Sequence, residues 1–210
     1  FSAKTTLGLA QALYEKHKVL TYPRTDSRAL PEDYIATVKD TLLSLENTDY
    51  GKFARQVLAS GWVVPNKRIF NNAKISDHFA IIPTSLSPTK LNEIEAKLYD
   101  LVTKRFLAIF FPAAEFLVTT RITRVENEPF KTEGKVMVNP GWQAVYGKSV
   151  KPDDQEEDTT LVAITPGESV TTQAIEIIAN QTRPPARFNQ ATLLSAMEGA
   201  GQLDEDEDLR

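Results

Sequence analysis

The chain has 210 residues, enough for one large domain or two small ones with buried cores, and its 41% hydrophobic and 25% charged content is ordinary for a globular protein. It has no cysteine and only two histidines, His17 and His78, which excludes disulfides and cysteine-ligated metals and argues against a histidine-rich metal site. No apolar run approaches the ~18 residues of a membrane-crossing helix, and Phe1-Ser2-Ala3-Lys4 lacks the basic-then-apolar layout of a signal peptide.

The net charge of −4 is unevenly spread. Residues 1–110 carry 15 Lys/Arg against 11 Asp/Glu, whereas residues 111–210 carry 9 against 17. Five of the acids form the run Asp204 to Asp208 and five more lie between Asp153 and Asp158. The first half is therefore the candidate polyanion surface, set against plain solvation of a basic half. The chain opens on Phe1 inside a predicted helix and closes within a charged run, with no capping or turn signal, so it reads as a piece of something longer.

Leu7, Ala10, Leu13, Tyr14 and His17 recur at helical spacing and predict an amphipathic helix over 2–17. Val19 to Tyr22 reads as a short strand. Pro31 suits a first helical position with Glu32 and Asp33 in the first turn, and Ile35, Val38, Leu42 and Leu45 give that helix its buried stripe. A third helix is predicted over 50–60 through Phe53, Val57 and Leu58, ended near Gly61. Residues 61–75, with Pro65, Asn66, Asn71 and Asn72, read as a loop. Leu91, Ile94, Leu98, Leu101, Val102 and Ile109 mark a long helix that Pro112 stops.

Beyond Pro112 the texture turns β-rich. Strands are predicted over 116–125 and 130–138, separated by Glu126-Asn127-Glu128-Pro129, then over 142–146, 160–164 and 170–178, with a charged loop at 147–158. Asn189 can cap a last helix running through Met197 and ended by Gly199 and Gly201. The expected class is α+β: an α-rich domain over 1–112, a β-rich arch or hinge domain over 113–185, and a helical stub over 186–210.

Three segments carry the chemistry. In Tyr22-Pro23-Arg24-Thr25-Asp26-Ser27, Pro23 pushes Tyr22 toward extended geometry, and Tyr22 and Arg24 project to one side if the extended run continues. A nucleophile beside a guanidinium fork is what attack on a phosphodiester needs; an ordinary strand-end turn is the alternative. The second segment is Ser76-Asp77-His78-Phe79-Ala80-Ile81-Ile82-Pro83-Thr84 and the third is Arg187-Phe188-Asn189-Gln190-Ala191-Thr192-Leu193-Leu194-Ser195-Ala196-Met197-Glu198.

This set, in this order, resembles the type IA DNA topoisomerases, and the Tyr-Pro-Arg and Ala-Ile-Ile-Pro-Thr wording is most similar to the topoisomerase III branch. The resemblance runs from Phe1 to about Glu198. It implies that Tyr22 attacks a DNA phosphodiester and becomes linked to the 5′ phosphate, releasing a 3′ hydroxyl that later reverses the step. Phenols, with an ordinary pKa near ~10, are poor nucleophiles at neutral pH and need help from neighbours. The resemblance assigns that help to Arg24, as the fork on nonbridging oxygens, and to His78, as acid or phosphate ligand; an Arg24–Asp26 pair is the bland alternative for the arginine.

Thr25, Asp26, Ser27, Arg28, Asp77, Thr84 and Arg187 are DNA-binding or site-shaping candidates, with local backbone bonding as the alternative for the hydroxyls and carboxylates. Lys16, Lys18, Arg28, Lys67, Arg68 and Lys74 are possible phosphate contacts, and Phe188, Trp62 and Trp142 possible base-stacking residues, each weighed against solvation or packing.

The resemblance further implies a separate Toprim domain whose clustered carboxylates hold Mg²⁺, so no metal site and no cofactor are expected within these residues and the piece is expected to be inactive alone. DNA, preferentially single-stranded, and the remaining domains of the same chain are the expected partners, in a cytoplasmic, chromosome-associated setting. A noncatalytic DNA-binding module and a structural interdomain arm are the competing readings.

Overall fold

The computed structural model describes residues 1–147, 161 and 164–199, and the class is α+β as expected. The described residues form five α-helices, α1 (Ala3–Glu15), α2 (Ile35–Leu45), α3 (Gly51–Ala59), α4 (Glu93–Ala108) and α5 (Gln190–Glu198), and one antiparallel hairpin of β1 (Glu115–Val125) and β2 (Glu128–Asn139). The predicted acidic run at 204–208 and loop at 148–158 lie outside the described residues.

α1, α4 and α5 begin where polar side chains close their free N–H groups, whereas α2 and α3 start at Tyr34 and Tyr50 without a side-chain cap. The Ser2 hydroxyl accepts from the Thr5 amide, so α1 starts capped instead of running open from Phe1. At α4, Asn92 accepts from the Ile94 and Glu95 amides while the Glu95 carboxylate accepts from the Asn92 amide at 2.9 Å, a reciprocal capping box. α2 starts four residues after Pro31, because residues 32–34 form a turn first. Gly61, at φ +63°, takes the chain out of the turn that follows α3.

Two clusters make the core. The larger joins Val38, Leu42 and Leu45 of α2, Ala54 and Val57 of α3, and Phe106 and Leu107 of α4, extended by Phe110 and Phe111. The smaller joins Leu13 of α1, Val19, Leu20 and Tyr99 of α4. Each fully buried leucine in them contributes about 1.5–3 kcal/mol of apolar burial. The helical periods are read correctly along α2, but Ile94 and Leu101, expected inside, are exposed, and Tyr99, Thr103 and Phe106 turn inward instead.

Only part of the predicted β content forms. The hairpin turns on Glu126 and Asn127 alone, both at positive φ, so β2 takes in Glu128 and Pro129, with Pro129 opposite Arg124. The 19–22 strand reduces to one antiparallel bridge, Leu20 to Pro83. Residues 142–146 form a 3-10 turn (Gly141–Val145) instead of a strand. Gly141 at φ +48° reverses the chain, the Trp142 N–H donates to the Pro112 carbonyl at 2.9 Å, and Val145 enters the large cluster. Trp142 meets the Tyr146 ring edge-on four residues later, a helical spacing that aromatic content alone disguises. Residues 170–178 form no strand: they are exposed throughout, and a strand needs a ladder partner. Of the other predicted strand, 160–164, only Leu161 and Ile164 are described, outside regular structure, and the rest lies outside the described residues.

Two outcomes follow from this architecture. The Glu95 carboxyl is held below its ordinary value of 4.5, first by the Asn92 amide and then by His17, whose Nε2 lies 3.3 Å from Oε1, while burial opposes both. The carboxylate therefore adds stability at neutral pH that fades as the pH falls below that ordinary range. Urea unfolding of Glu95→Gln is expected to show lower neutral-pH stability and a shallower acid decline, and an acid decline equal to that of the parent chain contradicts the assignment. At Gly141 a β-carbon would collide with the Ala113 and Pro112 carbonyls. Gly141→Ala should cost about 1–3 kcal/mol in the same measurement, and a neutral result would refute the tight approach.

A tyrosine, histidine and arginine at a candidate active site

Two of the three sequence motifs meet at one edge of the helical body. The chain leaves α1 through Lys18, at φ +58°, and runs extended along residues 80–84. The Thr21 amide donates to the Ile82 carbonyl at 3.0 Å, and the Thr84 amide donates to Val19 at 3.0 Å. Side chains add to this: the Thr21 hydroxyl donates to the Ala80 carbonyl and accepts from the Ile82 amide at 2.9 Å, and the Thr84 hydroxyl donates to Lys18 at 2.8 Å. The hydroxyls thereby supply ladder bonds that the short strand lacks.

Further along, the Thr25 hydroxyl donates to the His78 carbonyl at 2.8 Å and accepts from the Ser27 amide. The Ser27 hydroxyl donates to the Lys74 carbonyl at 2.7 Å and accepts from the Ala29 amide. The Ala80 amide closes the same seam by donating to the Ala29 carbonyl. Ser27 is buried, so its bonds are sheltered from water, whereas the Thr25 bond to His78 lies at the surface.

The seam brings His78 against Tyr22. Their ring centroids lie 4.3 Å apart with the planes tilted by 45°. Tyr14, from the last turn of α1, meets Tyr22 edge-on at 5.3 Å. Tyr22 is half-buried, whereas His78 and Arg24 are exposed. Arg24 makes no ion pair among the described residues, and Asp26 instead accepts from the Ser76 hydroxyl at 3.2 Å. The Arg24–Asp26 pairing weighed from sequence is thus absent, and the guanidinium stays available to an incoming anion.

The other candidates sort unevenly. Asp77 is exposed, with no side-chain hydrogen bond or ion pair among the described residues, and Arg187 is likewise exposed without contact to either motif. α5, which follows it, does reach the site's flank: Glu198 lies 3.7 Å from Arg28, and the Gln190 side chain accepts from the Ala3 amide. Lys16, Lys18, Arg68 and Lys74 are exposed, and Lys67 is paired with Glu32 at 2.6 Å. Trp62 packs on Phe111 and Trp142 on Tyr146, while Phe188 is exposed. Among the described residues no group of three or more His, Asp or Glu side chains is arranged to hold a metal ion. No helix among them is long and apolar enough to cross a membrane.

Tyr14, Thr21 and Arg105, which borders the cleft beside Thr25, were not singled out as site residues from sequence. Tyr14 carried a signal, an aromatic ring at the end of the helix that leads directly into the Tyr22 strand. Thr21 and Arg105 carried none, since a threonine and an arginine at such positions are ordinarily local and solvated.

The structure thus brings a phenol and an imidazole together, with an exposed guanidinium two residues beyond the phenol. A family model for DNA topoisomerase matches residues 1–201. DNA topoisomerase 3 of Bacillus subtilis (strain 168) is 46% identical over 202 residues, covering 94% of this chain and 28% of that protein. The Bacillus licheniformis protein of the same name is 45% identical over 201 residues with the same coverage. The full-length topoisomerase I from Thermotoga maritima matches in fold with a TM-score of 0.63 at 24% identity, over 96% of this chain and 32% of that one. The chain spans 28% of the length of these Bacillus relatives. It belongs to the DNA topoisomerase family, on the type IA, topoisomerase III-like side.

Proposed function

We propose that this chain carries the strand-cutting nucleophile of a type IA topoisomerase, with Tyr22 as the attacking group. The observation that carries the reading is the Tyr22 ring set against His78, with Arg24 two positions along the same segment, exposed and without an ion pair among the described residues. In the proposed step the Tyr22 phenolic oxygen bonds to phosphorus and the bond from phosphorus to the 3′ oxygen breaks. The phenol's proton is lost and the 3′ oxygen gains one, leaving a free 3′ hydroxyl and a 5′-phosphotyrosine. One phosphodiester replaces another, so the 3′ hydroxyl can attack back and reseal the strand without external energy.

Arg24 serves the two nonbridging oxygens, where its planar fork gains most as negative charge develops. His78 donates a hydrogen bond to the same phosphate. Thr25, Ser27 and Thr84 shape the site through the backbone bonds described, and Arg28 is a phosphate contact. The carboxylates for Mg²⁺ belong, in this reading, to parts of the enzyme beyond these residues, where the ion would supply charge neutralisation at the phosphate. The 210-residue chain alone is therefore expected to leave supercoiled DNA unrelaxed. Residues 1–112 form the tyrosine-bearing domain that lifts away to open the gate, 113–185 part of the hinge, and 186–210 the start of the next domain. Single-stranded DNA is the substrate, and the setting is cytoplasmic and chromosome-associated.

Two substitutions in a full-length enzyme carrying this segment test the reading. Tyr22→Phe should abolish the covalent protein–DNA adduct while noncovalent binding persists; an adduct that survives shows Tyr22 to be the wrong residue. Arg24→Ala should slow cleavage by roughly 10²–10³-fold with the adduct chemistry otherwise unchanged, and an undiminished rate removes Arg24 from the site.

A further inference from the structure

Directly beside the Tyr22 segment lies a cleft of about 480 Å³. Ile69, Ala80, Ile81 and Ile109, all half-buried, line it with apolar surface, and Asp26 also borders it. Arg28, Arg68 and Arg105 border it from three separate elements: the Tyr22 segment, the loop before Phe70, and α4. Arg68 and Arg105 have no side-chain hydrogen bond or ion pair among the described residues. Arg28 has one loose partner, the Glu198 carboxylate at 3.7 Å, and both of these side chains are largely exposed.

We propose that this cleft is a subsite for one unstacked nucleotide of single-stranded DNA, its base on the apolar lining and its phosphate among the three arginines. The inference rests on the reading of the chain as a strand-cutting module and names where the strand flanking the cut is held. The volume lies in the range of pockets that enclose small ligands, roughly 300–1,000 Å³. Arginines alone attract any polyanion, and an apolar lining alone accepts any apolar group. Together they select an aromatic base tied to a phosphate. Duplex DNA keeps its bases paired and stacked, so only a single strand can offer one to the lining without paying to unstack it. Glu198 holds a carboxylate at Arg28 where a phosphate oxygen would go, so it acts as an internal competitor that the strand displaces.

The test uses the 210-residue chain and fluorescence anisotropy with a labelled thymidine octamer, a length of about one strand-binding site. An abasic octamer, the same octamer in duplex form, thymidine monophosphate and inorganic phosphate serve as comparisons. The thymidine octamer should bind at least about tenfold tighter than the abasic one. Arg68→Ala and Arg105→Ala should each weaken it about tenfold with the thermal midpoint unchanged. Glu198→Gln should strengthen binding severalfold, and Glu128→Gln, the same charge change on the hairpin, should not. Tyr22→Phe should leave the affinity as it is.

Equal binding of thymidine and abasic octamers, or indifference to both arginine changes, overturns the subsite. Competition by thymidine monophosphate as effective as the octamer overturns its assignment to a strand and moves it to a free nucleotide. The two readings fail separately. A Tyr22 adduct in the full-length enzyme with normal octamer binding by the arginine variants removes the subsite and keeps strand cutting. The expected octamer binding without any Tyr22 adduct does the reverse.

Discussion

The site depends on a seam of hydroxyl-to-backbone hydrogen bonds between residues 18–29 and 74–84. Thr21, Thr25, Ser27 and Thr84 each reach across it, and the Thr21, Thr84 and Ala80 amides add backbone bonds. Neither segment is a full strand; a single bridge, Leu20 to Pro83, is their whole regular pairing. A typical bond of this kind contributes only about 0.5–1.5 kcal/mol, but the set fixes one register. Sliding by one residue turns side chains to the opposite face and would separate the Tyr22 ring from His78. Small hydroxyl side chains suit the task because they reach nearby carbonyls without filling the space the aromatic rings need.

The helical body limits how the seam can move. Leu13, Val19 and Leu20 are buried with Tyr99, so the start of the Tyr22 segment is anchored in the smaller cluster. The His17–Glu95 contact ties the end of α1 to the capping box that starts α4. Tyr14 then lies along the Tyr22 ring as a consequence of where α1 ends. With Tyr14 edge-on and His78 close on the ring, rotation about the Tyr22 side-chain bonds is restricted. A phenol held this way has lost part of its freedom before any DNA arrives, which is the structural form of preorganisation.

Much of this was legible in the sequence, and the failures have specific physical origins. α2, α3 and α4 announced themselves by period and by the punctuation of Gly61 and Pro112, and α5 by Asn189 and Gly199. The hairpin was visible as two β-rich runs, although its turn fell on Glu126 and Asn127, whose positive φ values no composition reveals. The stretch 142–146 misled because Trp, Val and Tyr favour strands, while Gly141 and the Pro112 carbonyl set a helical turn. The 170–178 stretch shows the limit of alternation as a signal: it describes one segment, and a strand is a property of two. Tyr22 and His78 could be singled out from sequence, but their contact could not. It arises from threonines and a serine whose partners are 47 to 66 positions away.

Exposure sets a further condition on the site. Arg24 and His78 are open to water, and Arg28 is 89% exposed. A guanidinium about 4 Å from a phosphate charge gains about 1 kcal/mol in bulk water and about 4 kcal/mol at the effective dielectric of a partly enclosed surface. The first value is too small to matter to the slow attack of a phenol, and the second approaches the cost of losing an oxyanion contact in an enzyme. In the proposed cleavage, Arg24 would therefore contribute fully only when water is displaced from around it. In the proposed complex the strand would supply part of that displacement, because a base seated on the lining at Ile109 would bring the adjoining backbone down onto the Thr25–Arg28 segment and cover its charges. In that geometry, holding the strand and activating the phosphate become a single event. The apolar lining then matters to the chemistry through the water it keeps away from the arginines.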